Sequence, residues 1–318
     1  MDRRAFISLT AAFFTASLAA QPAQAPRRIG TLTGGTPSRS WLAEEMAKYG
    51  WVEGQNLVIE RRSAQGDAQR AKDLAAELVR LNVEVLVTFG AVASLAARDA
   101  THTIPIVSRT GDPVLLGLVA NLSYPGGNIT GNTTVSRELS TKRLEALRML
   151  LPNVIRVADL VDPANEYVRL TRSEYEQTFS ALGMQPIFVE VSDPKQLSRA
   201  FEHISSQRAQ ALVVRGDTVF VSNREQIVRF ATQLALPTMT EGRLFVEAGA
   251  LASYAPKDAA LNLRTAALID KILRGAKPAD LPIEQPAEFE LLINVKTAKA
   301  LGLTIPQSLL QRADEVIR

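Results

Sequence analysis

The sequence predicts an α/β protein of two lobes, each a parallel sheet flanked by helices. Three observations predict it. Short apolar runs alternate with amphipathic segments from Arg28 onward, the pattern of βαβ units, whose crossovers are right-handed and whose sheets are parallel. That alternation runs through once, reaches a border near residues 135–140, and runs through again over a similar length. The 318 residues are enough for two lobes of roughly 100–150 residues each.

Each element follows from its local pattern. "RIGTLTG" (28–34) reads as a buried strand. "SWLAEEMAKYG" (40–50) has helical spacing and ends on Gly50, as a helix C-cap does. "NLVIERRS" is a second strand. "AQRAKDLAAELVRLN" is an amphipathic helix with Leu74, Leu78 and Leu81 on one side. "VEVLVTFG" is nearly all apolar, as a strand covered on both faces should be. "AVASLAARDA" is a helix, "IPIVSRT" a strand, "PVLLGLVANLS" a helix and "NITGNTT" a strand. The helix "SRELSTKRLEALRMLLP" leads into the second array. There "VIRVADLVD", "QPIFVEV", "AQALVVRGD" and "LPTMTEG" read as strands, and "EYVRLTRSEYEQTFSALG", "PKQLSRAFEHISSQ" and "REQIVRFATQLA" as helices. "GALASYAP", a helix from Lys257 to Arg274 and "FELLINVKTAKALG" are more than one lobe needs to close.

The N-terminus reads as an export signal. "MDRRAFISLTAAFFTASLAAQPAQAP" has a charged start, an apolar run from Ala5 to Ala20 and then small residues. Arg3-Arg4-Ala5-Phe6-Ile7 resembles a twin-arginine signal, and an ordinary Sec signal carrying two arginines reads the same way. Cleavage fits after Ala25, in Ala23-Gln24-Ala25, or after Ala19 or Ala20. The expected mature protein is soluble and exported to the periplasm.

Composition narrows the chemistry. Lys and Arg number 36 against 33 Asp and Glu, an excess too mild for a nucleic-acid partner. Cysteine is absent, which removes disulfides, thiolate metal sites and a cysteine nucleophile. The glycines of "GTLTGGT" lack G-x-G-x-x-G spacing, and no P-loop or G-x-S-x-G elbow occurs. His102 and His203 are the two histidines, and neither has a metal-ligand partner at useful spacing. No enzyme, metal or cofactor is therefore expected. In "SYPGGNITGNTT" the paired Gly126 and Gly127 precede a strand, whereas a phosphate loop follows one, so a Pro-Gly turn is expected there.

Ligands of parallel sheets bind beyond the carboxyl ends of the strands. The residues there are small hydroxyls, amides and single carboxylates. They run through Thr33 to Thr36, Thr88 to Gly90, Ser108 to Asp112 and Asn132 to Thr134, then Asp162 to Asn165, Asp217 and Thr218, Thr240 and Glu241, and Ser253 and Tyr254. Such groups suit neutral hydrogen bonding to a small polar molecule. Thr88, with the helix amides near Ala91, suits a carboxylate.

Four long stretches carry a resemblance: "YGWVEGQNLVIERRSAQGDAQRAKDLAAELVRLNVEVLVTFG", "IPIVSRTGDPVLLGLVANLSYPGGNITG", "LSTKRLEALRMLLPNVIRVADLVDPAN" and "DKILRGAKPADLPIEQPAEFELLINVKTAKALGLTIPQSLLQRADEVI". In this order, from about Arg28 to Ile317, they resemble the ABC-transporter substrate-binding proteins that include tryptophan- and tyrosine-type members. The resemblance implies a type-1 periplasmic binding protein fold, two Rossmann-like lobes joined by three crossover hinges. It implies a signal at 1–25, a first lobe of 26–136 plus about 257–276, and a second of 137–256 plus about 277–318. It implies a ligand cradle of Thr33, Gly34, Thr88, Gly90, Ala91, Asp112 and Thr133 from the first lobe, with Asn165, Asp217 and Tyr254 from the second. The implied function is the solute-binding component of an ABC importer, a monomer that holds a small ligand such as an amino acid and serves an inner-membrane permease. A periplasmic sensory module and an enzyme on a two-lobed scaffold are the alternatives.

Overall fold

A computed structural model describes residues 25–35 and 41–318. The expected export signal, apart from Ala25, and residues 36–40 of the first cleft loop lie outside them. Among the described residues, no helix is long and apolar enough to cross a membrane.

The first array folds as β1 (Arg27–Thr33), α1 (Trp41–Ala47), β2 (Leu57–Ser63), α2 (Ala68–Arg80), β3 (Val85–Phe89), α3 (Ala91–Ala100), β4 (Ile106–Thr110) and β5 (Ile129–Thr133). The strands are parallel in the order β2-β1-β3-β4-β5. β3 shows why its sequence is continuously apolar. Val85 and Val87 pack toward Leu42 and Met46 of α1, while Leu86 packs toward Ala71, Ala75 and Leu78 of α2. Asp67 starts α2 by accepting from the amides of Gln69 and Arg70.

The second array comprises α4 (Ser136–Leu150), β6 (Arg156–Val161), α5 (Glu166–Ala181), β7 (Gln185–Glu190), α6 (Leu197–Ser206), β8 (Ala211–Val214), α7 (Thr218–Ser222), α8 (Arg224–Gln233), β9 (Thr238–Thr240), α9 (Arg243–Glu247) and β10 (Ala252–Pro256). After α10 (Asp258–Leu273) come β11 (Phe289–Asn294), α11 (Val295–Ala300), α12 (Gln307–Arg312) and β12 (Glu315–Ile317). The second sheet is ordered β12-β11-β10-β9-β8-β6-β7, and only the β10–β11 pairing is antiparallel. Read from β7 to β10, its order repeats that of the first sheet.

Three passages link the lobes. The chain leaves β5 for α4, whose Leu144, Leu147 and Leu150 enter the second core. It leaves β10 for α10, whose Ala266, Ile269 and Ile272 pack on Ile29, Val85 and Val107 of the first sheet. It returns into β11 beside the outgoing strand, with the Lys257 amide donating to the Glu288 carbonyl.

Three expectations need correction. The second lobe does not resume near residue 277. Ile283 packs in the first core, and Glu284 exchanges backbone hydrogen bonds with Gly131 and Thr133 along the β5 edge, so the return falls after residue 284. "PVLLGLVANLS" is a succession of turns, not a helix. Pro113 and the left-handed Gly117 (φ 64°) interrupt a helix there, yet Leu116, Leu118 and Val119 still reach the core. The short α7 and α9 lie where the sequence showed only strand-end residues.

The demanding glycine of "SYPGGNITGNTT" is Gly131. Its φ is 146°, and a Cβ there would sit 1.8 Å from the Ser108 carbonyl oxygen. β4 and β5 approach too closely to admit any side chain at that point.

Candidate functional site

Both sheets reverse their winding between the first and third strands of each array. Ligand crevices form at such points. In the first lobe that is where β1 and β3 end, and in the second where β6 and β8 end. The end of β3 faces the ends of β6 and β8 across a cavity of about 550 Å³, within the range of small-molecule sites.

The first lobe lines it with Phe89, Gly90, Ala91 and Val92 at the β3–α3 turn, and with Arg109, Thr110 and Gly111 after β4. Gly90 gives α3 no side-chain cap. The first amides of a helix have no intrahelical partner and carry its positive dipole end, so this ten-residue helix presents donors to the cavity. A hydroxyl chain holds the turn from below. Ser94 Oγ donates to the Gly90 carbonyl at 2.8 Å, and lies 2.9 Å from both the Thr88 and Ser108 hydroxyls. Trp41 and Phe89 form an aromatic wall, edge to face with centroids 5.7 Å apart.

The second lobe supplies Arg143, Asp162, Asn165, Tyr167, Arg215, Asp217 and Glu241. Asn165 caps α5 by accepting from the Tyr167 amide and donates its own amide to Asp217 Oδ1. Each arginine on the wall already faces a carboxylate. Arg143 pairs with Glu241 at 2.7 Å, Arg215 with Asp159 at 2.7 Å and Arg243 with Glu290 at 2.7 Å, while Arg109 pairs with Asp258. Asp162 and Asp217 have no cationic partner at salt-bridge distance among the described residues. Burial first, and then the charge of Asp162, push the Asp217 carboxyl up to about 7; burial also raises Asp162. Among the described residues, no group of three or more His, Cys, Asp or Glu is placed to hold a metal ion.

Of the ten residues expected to form the cradle, Gly90, Ala91, Asn165 and Asp217 line this cavity. The other six are not on its wall. Thr33 Oγ1 accepts from the Gly35 amide, and Gly34 lies against Thr218 of α7 where the lobes meet. Thr88 is fully buried beneath the α3 turn. Asp112 caps the turn after β4 by accepting from the amides of Val114 and Leu115. Thr133 Oγ1 donates to the Gly111 carbonyl at 2.6 Å and accepts from the Val135 amide. Tyr254 stacks on Phe289, and its carbonyl accepts from Arg143 Nε.

Sequence reasoning missed Trp41, Arg143, Tyr167 and Arg215 as wall residues, and it named Thr110 only within the strand-end run from Ser108 to Asp112, outside the expected cradle. One had a readable signal. Arg143 lies at helical spacing between Leu139 and Leu147 on the apolar stripe of α4, and a buried arginine requires an anionic or carbonyl partner.

The ABC transporter substrate binding protein family matches residues 37–317. The chain is 25% identical over 256 residues to the tyrosine-binding protein of Clostridioides difficile (strain R20291), covering 80% of this chain and 73% of that one. A conserved domain protein from Vibrio cholerae superposes with a TM-score of 0.83 at 26% identity, covering 91% of this chain and 99% of that one. An ABC domain from Streptococcus pneumonia, solved in complex with L-Trp, superposes with a TM-score of 0.82 at 25% identity, covering 92% and 100%. A family match over nearly the whole described chain, on two lobes that frame a cavity, places this protein among the ABC transporter substrate-binding proteins.

Proposed function

We propose that this protein is the exported solute-binding component of an ABC importer, and that it takes a small polar ligand, an amino acid or a related molecule, into the cavity between its lobes. The observation that carries the reading is the cavity wall. Strand ends from both sheets converge there, an uncapped helix N-terminus offers amides to a carboxylate, and an aromatic pair stands beside them. Ligand contacts on both lobes favour the closed arrangement over an open one, which is the signal a permease reads. The tyrosine-binding relative and the L-Trp-bound neighbour support an amino acid as ligand. The segment 1–25 serves as the export signal, and the protein acts as a periplasmic monomer without a cofactor.

A thermal-shift screen over amino acids, dipeptides, nucleobases and small organic acids tests this. Ligand at 100 times its Kd stabilises by about 2.7 kcal/mol, a rise of several degrees. No shift with any compound, together with turnover of one of them, would replace the binding role with a catalytic one.

A further inference from the structure

The chain passes between the lobes three times, and one passage carries a strained residue. Val135, between β5 and α4, has φ 44° and ψ 41°, in the left-handed region. Among the described residues, four other non-glycine residues have a positive φ: Gln65, Asn82, Arg208 and Ala235. Asn82, Arg208 and Ala235 follow the ends of α2, α6 and α8, where a left-handed residue commonly stops a helix, and Gln65 lies in the turn before α2. None of the four is β-branched. Val135 is, and it opens a helix, where an extended residue is usual. A left-handed β-branched residue is an outlier that persists only where its surroundings force it.

We propose that Val135 is a strained pivot: bringing the lobes together forces it into the left-handed region, so its backbone drives the empty protein open, and a ligand must overcome that bias. The pivot concerns the motion of the lobes and holds whatever the ligand is.

The chain on either side of Val135 is anchored to a different body. Before it, the Thr133 hydroxyl donates to the Gly111 carbonyl at 2.6 Å, and the Thr134 amide donates to the Thr110 carbonyl at 2.9 Å, both at the end of β4. After it, α4 begins at once. The Leu139 amide donates to the Val135 carbonyl at 3.2 Å, and the helix runs on into the second core. Val135 is the residue left between the two anchored stretches, so rotation of one lobe against the other falls on its φ and ψ. The other two passages carry no such residue. Lys257 is extended (φ −65°, ψ 116°), and no residue from 284 to 289 has a positive φ. The Val135 side chain is half-buried and is not on the cavity wall, although Thr134 and Ser136 are. Its effect on a ligand therefore runs through the backbone.

The lobes are together in this structure. The chain leaves the first lobe from β5, at one edge of its sheet, and β2 is the opposite edge; in the second sheet β7 is the edge remote from β10 and β11. At these far edges Gly66, after β2, lies so near Ser192, after β7, that a Cβ would stand 3.1 Å from the Ser192 carbonyl oxygen. Opening about Val135 moves these edges furthest.

Pulsed electron paramagnetic resonance on the ligand-free protein tests the pivot. The chain contains no cysteine, so nitroxide labels attach only where cysteines are introduced. Lys72 on α2 and Arg199 on α6 are exposed, and their helices follow Gly66 and Ser192. With Lys72→Cys and Arg199→Cys labelled, the empty protein is expected to give mostly the longer distance. Val135→Gly should raise the closed-to-open ratio about five- to thirtyfold, the range of one left-handed penalty. Val135→Asn tolerates the left-handed region without glycine's freedom, and should move the ratio the same way by less. Val135→Ile keeps the branch and should stay within twofold of the wild type. An empty wild type that is already closed overturns the pivot, as does a Val135→Gly distribution that matches the wild type's or lengthens. A shift with glycine and none with asparagine assigns the effect to loosened backbone and overturns it too. An equal shift in Val135→Ile does the same by tracing the effect to the side chain. A failed ligand screen bears on none of these outcomes, because no ligand is added.

Discussion

Alanine at Gly34 or Gly35 should wedge the lobes apart while leaving each lobe folded. These glycines follow β1 and lie against α7 of the other lobe. A Cβ at Gly34 would stand 2.1 Å from Thr218 Oγ1 and 3.3 Å from Thr218 Cβ. At Gly35 it would stand 2.3 Å from Ser222 Oγ and 2.4 Å from the Thr218 carbonyl oxygen. Both are far inside van der Waals contact. The first clash is with a side chain that turns aside, the second with backbone that cannot. Overpacking of this kind costs about 1–3 kcal/mol, with Gly35→Ala at the upper end. Closure shifts by that amount, and the apparent ligand affinity falls by about five- to a hundredfold. Small-angle scattering with and without ligand reads closure, and calorimetry reads affinity. Thr218→Ala should rescue Gly34→Ala to within about twofold and should not rescue Gly35→Ala, because the obstructing Thr218 atom there is its carbonyl. A Gly35→Ala protein that closes like wild type, or equal rescue of both variants, would refute the contact as the seat of closure.

Arg143→Ala should destabilise the second lobe by about 3–5 kcal/mol, because it leaves Glu241 without its cation in a site where Arg143 is 2% exposed; chemical denaturation measures it. Gly131→Ala should prevent a stable first lobe, since the added carbon meets the Ser108 backbone, whereas Gly126→Ala should cost about 1 kcal/mol, since nothing lies closer than the Tyr124 carbonyl at 3.8 Å. Circular dichroism melts separate the two. Thr133→Val should cost about 1–2 kcal/mol through its bonds to Gly111 and Val135, read in the same melts.

The elements were legible where local pattern and tertiary packing agree. Val85 to Val87 read as a doubly covered strand and is one, because both of its faces meet apolar helices. The leucines of "PVLLGLVANLS" misled for the same reason. Their burial was real, but Pro113 and Gly117 deliver them to the core from turns rather than from a helix. The end of the α10 excursion was set later than the pattern suggested, because backbone bonds from Glu284 to the β5 edge carry no side-chain signature.

The candidate site was legible only as a set of strand-end loops. Gly90, Ala91, Asn165 and Asp217, four of the ten residues that the resemblance implies, line the cavity because the topology brings those loops together. Arg143 and Tyr167 reach the cavity from helix faces, Arg143 from a stripe that reads as core.

By itself, the sequence determined the α/β class with two arrays and the family, because periodicity and long motifs are local and ordered along the chain. Tertiary structure alone decided which strand-end hydroxyl is left without a partner at the cavity wall. Thr110 and Thr133 show the reason. They are the same residue type, at the ends of neighbouring strands, directly paired in register. The Thr133 hydroxyl is taken by the Gly111 carbonyl, and the Thr110 hydroxyl is left without a partner at the cavity wall. That difference depends on backbone atoms brought close by folding, and no spacing in the sequence encodes it.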